Sequence, residues 1–109
     1  MKLQDIPFHT LDWDSLPVQS KPGETGVTEW RQYQLGDIGI RMVKYSPGYK
    51  ADHWCSKGHL ILCLDGQFDS ELGDGRTLTL RAGMCYFVAD DTMPHRSSTA
   101  TGATLYIID

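Results

Sequence analysis

The chain has 109 residues, enough for one domain and too few for two of ordinary size. With 40% hydrophobic and 22% charged residues it belongs among folded globular proteins rather than disordered ones. A net charge of -4 with scattered Lys and Arg offers no basic face for nucleic acid, and no apolar run approaches the roughly 18 residues of a membrane span. Met1 to Asp5 lacks the apolar stretch of a secretory signal, so the expected location is cytoplasmic.

Residues 1 to 26 are broken by Pro7, Pro17, Pro22, Gly23 and Gly26 and read as an irregular arm laid across the rest. Within the arm, Trp13 and Leu16 fit a single helical turn after Asp12. From residue 27 to 109 the pattern changes to short runs divided by turn residues. Strands are expected over Thr28 to Leu35, Ile38 to Tyr45, Ala51 to Cys55 and His59 to Leu64. Further strands follow over Gln67 to Leu72, Thr77 to Leu80, Met84 to Val88, His95 to Ser98 and Thr104 to Ile108. Gly-Asp, Pro-Gly and Asp-Gly steps separate them, and no segment keeps a helical period beyond two turns. The expected class is all-β, and periodicity alone leaves barrel, jelly roll and immunoglobulin-like sandwich open. Open sheet edges in so small a domain favour a homodimer.

The histidines and cysteines carry the chemistry. On a strand His53 and Cys55 share one face, about 6.6 Å apart at roughly 3.3 Å per residue. The short turn Ser56-Lys57-Gly58 lets His59 come back opposite them. Imidazole and thiolate together suit a divalent transition metal, with zinc first and iron, nickel or copper behind it, and not magnesium or calcium. Cys63 lies about 13 Å further along the strand than His59, beyond ligation, and is expected in the core with Cys85. Asp52 and Trp54 alternate with the donors and should face away from them, while Arg41, Tyr45, Tyr86 and Ser97 are candidate pocket residues. His9 reads as a surface or packing residue of the arm.

Residues 47 to 66 resemble the first signature of the cupin superfamily, in which Pro-Gly precedes His-x-His, a Glu and a strand-ending Gly. Pro47-Gly48, His53 and Gly66 stand in the signature places, with Cys55 at the second His and His59 at the Glu. The second signature resembles Gly83 through Pro94-His95, with Asp90-Asp91 in place of its Pro-x-Gly turn, one extra residue, and Thr99 where the signature has Asn. That resemblance implies a small cupin-type jelly-roll barrel over 27 to 109, with a metal site of His53, Cys55, His59 and His95. Asp52-His53-Trp54-Cys55 with His59 is also similar to a group of single-domain cupins with an Asp-His-Cys-Trp motif, a likeness that implies no activity.

Three functions fit this pattern. In the first, a small molecule enters the barrel and meets an open metal position, where Lewis-acid or bound-water chemistry follows. The thiolate turns that reading away from oxygen activation, which would oxidise Cys55, and toward isomerisation or hydrolysis. In the second, four protein ligands close a structural or sensing site with no catalysis. In the third, Cys55 is a redox thiol activated by its histidine neighbours.

Overall fold

The computed structural model describes residues 3–109. A 3₁₀ turn over Trp13–Ser15 begins at Asp12, whose side chain accepts from the Asp14 backbone N–H. Eight strands follow: β1 (Gln19–Pro22), β2 (Val27–Leu35), β3 (Ile38–Tyr45), β4 (His59–Leu72), β5 (Thr77–Arg81), β6 (Cys85–Val88), β7 (His95–Ser98) and β8 (Ala103–Ile108). All pairings are antiparallel, in the order β1-β2-β3-β8-β4-β5, with β6 and β7 also paired to β4.

β4 organises the barrel. Its first half pairs with β6 and β8, and its second half with β5 and β7. Asp65-Gly66 looks in the sequence like a hairpin turn between two strands. The structure instead keeps one 14-residue strand with a register shift between Cys63 and Asp65. Gly66 makes this possible at φ 71°, because a Cβ there would run into the carbonyl oxygen of Gly102. The strand thus turns from one sheet into the other without ending.

Alternation along the strands fills the space between the sheets. Val43, Ile61, Cys63, Phe68, Leu80, Ala103, Leu105 and Ile107 form the buried core, with Trp30, Tyr45 and Tyr86 packed against it. Cys63 is fully buried, as its place on β4 requires. Cys85 is exposed, contrary to the expected core packing, because it pairs with Leu62 on the outer face of β4.

Two further expectations change. Part of the arm is an edge strand, since Gln19 to Pro22 pairs with β2 although its side chains are all exposed and polar or Pro. His9 stacks on Tyr33, and Trp13 meets Tyr106 edge-on. Ala51 to Cys55 is not a strand: Lys50 makes two isolated bridges and Cys55 one, and the residues between them run as a loop. Asp91 N–H donates to Ser56 O, and Gly58 N–H to the Asp90 carboxylate. These bonds hold residues 56 to 58 against the turn before β7 instead of in a hairpin.

Candidate metal centre

Cys55, His59 and His95 come together. One donor atom from each, Sγ and two ring nitrogens, lies within 4.8 Å of the others. His95 opens β7, and its backbone exchanges both ladder bonds with Cys55, at 2.8 and 2.9 Å, which fixes the two side chains as neighbours. His59 opens β4 and reaches the pair from the opposite sheet.

The hydrogen bonds around the two imidazoles restrict their protons. His95 Nδ1 lies 2.9 Å from Met93 O. A carbonyl only accepts, so Nδ1 carries the proton and Nε2 of the neutral ring presents a lone pair. That Nε2 lies 2.7 Å from His59 Nε2. On its other side His59 Nδ1 faces Asp109 Oδ2 at 3.6 Å and has no hydrogen-bond partner, although the side chain is only 6% exposed. A proton on His59 Nδ1 leaves two lone pairs pointed at each other. A proton on Nε2 leaves a lone pair pointed at a carboxylate. Either neutral arrangement is frustrated, and a buried polar atom left unmatched costs about 1–3 kcal/mol. Protonating both nitrogens of His59 is opposed by burial first and by His95 next, which together hold its pKa down to about 4 despite the Asp109 carboxylate. A metal cation accepting both Nε2 lone pairs relieves the conflict, with Met93 O and Asp109 orienting the rings from behind.

His53 stands outside this group. It sits in the loop between β3 and β4 with its side chain 65% exposed, and its Nδ1 lies 2.6 Å from Asp52 Oδ1. That hydrogen bond, aided by Lys21, keeps the Asp52 carboxyl below its usual range. The same-face argument for His53 and Cys55 requires a strand, and here the strand is missing. His53 still borders a cavity of about 150 Å³ inside the barrel, which Cys55, His59 and His95 also line. Arg41, Tyr45, Tyr86 and Ser97 line it as well.

Asp109 and Arg96 carry no sequence signal of their own. Asp109 is buried and binds Arg41 at 2.9 Å, with Lys57 at 3.7 Å. Arg96 binds Glu71 at 2.9 Å and lies over the Trp54 ring at 4.7 Å, so Trp54 packs on the barrel rim rather than standing free. Both placements depend on strand pairings far apart in the chain. Two larger cavities flank the centre, one of about 590 Å³ on the Cys55 and His59 side and one of about 380 Å³ on the His95 side.

No family model matches the sequence, and no curated protein does. Solved structures do match its fold. An RmlC-like cupin from Shewanella frigidimarina superposes with a TM-score of 0.75 at 15% identity, over 96% of this chain and 92% of its own. A sugar phosphate isomerase from a cupin superfamily, from Silicibacter pomeroyi, gives 0.73 at 20% identity over 92% and 74%. Fe(II)-HppE with an alternative substrate gives 0.77 at 15% identity, over 99% of this chain and 62% of that protein. At these identities the likeness is one of fold: the chain is a cupin-type jelly roll. Among the described residues no helix is long and apolar enough to cross a membrane.

Proposed function

We propose that Cys55, His59 and His95 hold a divalent transition-metal ion inside the barrel, and that the protein uses it on a small molecule. The observation that carries this reading is the pair of Nε2 atoms 2.7 Å apart, with the His95 ring oriented by a carbonyl and the His59 ring facing a carboxylate. Two imidazoles and a thiolate suit zinc best, and the same donors accept iron, nickel or copper. A fold neighbour carries Fe(II).

Three protein ligands favour an enzyme over a closed structural site. Catalytic zinc keeps a position open, whereas structural zinc takes four protein ligands. With His53 turned to Asp52 and solvent, the fourth position is left for water or substrate. The ion would supply Lewis-acid polarisation of a substrate oxygen or an acidified water. Around it the chain's own groups exclude bulk water, orient the two imidazoles and present Arg41, Tyr45 and Ser97 to the cavity. Redox-silent chemistry fits the thiolate, and a neighbour of the same fold bears the name of an isomerase.

We also infer a homodimer. Leu60, Leu64, Met84 and Phe87 are exposed around β4 and β6 and provide apolar surface for a second copy. Sedimentation should show a dimer at micromolar concentration, and monomer alone contradicts it. The metal reading is tested by elemental analysis beside single substitutions of the three donors. Occupancy should fall with each, and occupancy unchanged in any one removes that residue from the site.

A further inference from the structure

Arg41 lies on the same face of β3 as the core residue Val43, two positions along, where alternation assigns a side chain to the barrel interior. Asp109 holds it there with a carboxylate that is only 6% exposed. Main-chain bonds between Gly39 and Asp109, 2.8 Å in both directions, fix that carboxylate beside β3. Among the described residues the Arg41 guanidinium makes one hydrogen bond, to Asp109 Oδ2 at 2.9 Å. A guanidinium carries five N–H donors, so most of them remain open, and the side chain keeps 31% of its surface.

That surface borders open space. Arg41 and Lys57 line the cavity of about 590 Å³, together with residues of β2. The smaller cavity inside the barrel shares Arg41, Cys55 and His59 with it, so the guanidinium and two of the metal donors border the same two hollows. Asp109 is the single carboxylate lining the larger cavity, and both cations lean on it, Arg41 at 2.9 Å and Lys57 at 3.7 Å. Two cations against one anion leave a positive charge at the mouth. Lys57 is 63% exposed and can turn to a ligand while Arg41 stays on Asp109. The open side of a planar guanidinium is shaped for the paired oxygens of a carboxylate or phosphate.

We propose that the protein's small molecule is an organic oxyanion, a carboxylate or a phosphate, whose charge is received by Arg41 and Lys57 at an entrance beside β2 and β3. The open donors on an inward-facing arginine, bordering the cavity of the metal donors, carry this assignment. It rests on the metal-centre reading only for the chemistry that follows binding.

The test is an amide NMR titration of the full chain, as purified, with metal content measured on the same samples. Propionate and glycerol phosphate are the probes, each beside its uncharged counterpart, propionamide or glycerol. At least one anion should shift the amides of residues 39 to 41, 55 to 59 and 107 to 109 saturably, more weakly as salt is raised, and the tighter of the two identifies the oxyanion. The uncharged compounds should not. Arg41→Gln should weaken the anion at least about tenfold, the effect of a charged hydrogen bond. Arg41→Lys keeps a cation opposite the buried Asp109, so it tests the fork without stripping that carboxylate of its partner, and should still lose several-fold. Lys57→Gln, at an exposed position, should leave the melting temperature unchanged and cost about two- to threefold. Uncharged probes that bind as well as the anions, absent or unsaturable shifts, or wild-type affinity in all three variants overturns the anion site. Metal present with any of these results overturns the anion site alone. Anion binding that depends on Arg41, in a protein that takes up no metal, overturns the metal centre alone.

Discussion

His59 and His95 open strands β4 and β7, where ladder bonds fix the backbone and burial strips water from the rings. His53 sits six residues before His59, in a loop, with most of its ring in solvent and its one close partner an adjacent carboxylate. The same residue type therefore stands in two different environments. A strand-held imidazole with one nitrogen already committed has its other lone pair aimed in advance, which is what a metal ligand needs. The loop imidazole lies mostly in solvent with Asp52 as its close partner, and that contact does not direct it at the other donors.

Substitutions should separate these two regions. His95→Ala should have the largest effect, since it removes a ligand and leaves His59 facing a void. Metal affinity should drop by more than about 100-fold, beyond what orienting partners alone contribute. Cys55→Ser should come next, because a hydroxyl has neither the softness nor the charge of a thiolate. Cys63→Ser and Cys85→Ser are its controls and should retain their metal, the first with some loss of stability from its buried position. Full occupancy in Cys55→Ser would take Cys55 out of the site and leave it as a redox thiol. Asp109→Asn should cost about tenfold in affinity by loosening the orientation of His59, read by competition with a chelator.

The pH response sharpens the comparison further. His59 ionises at about 4 in the folded chain, against an ordinary 6.5. Between those values the unfolded chain binds the extra proton, so folding stability rises with pH there. Denaturation of the metal-stripped protein should thus show stability lost as pH falls from 6.5 through about 4, with no contribution from His59 above that window. His59→Gln should flatten this part of the profile. The smallest effect belongs to His53→Ala, which should leave metal content unchanged. A loss equal to that of His95→Ala would instead return His53 to the ligand set.

Much of the strand framework is legible in the sequence, because Gly36-Asp37, Gly73-Asp74-Gly75 and Gly83 punctuate apolar runs at turn spacing. The continuity of β4 is not legible. Asp65-Gly66 has the composition of a hairpin turn, and only the close approach of Gly102 and Ala103 makes it a bend within one strand. The loop at 51 to 54 is also misread, since His53 and Cys55 alternate as strand residues would while the backbone there pairs only at its ends. The approach of Cys55, His59 and His95 is readable through the two cupin signatures, not through periodicity. Asp109 behind His59, with Arg41 bound to it, arises from pairings between distant strands, which no local pattern records.

The central claim is a metal ion on Cys55, His59 and His95, and elemental analysis of the protein purified without added metal tests it most directly. The account predicts close to one transition-metal ion per chain, zinc before others. Protein that arrives metal-free, and still takes up none when zinc is added at neutral pH, would contradict it.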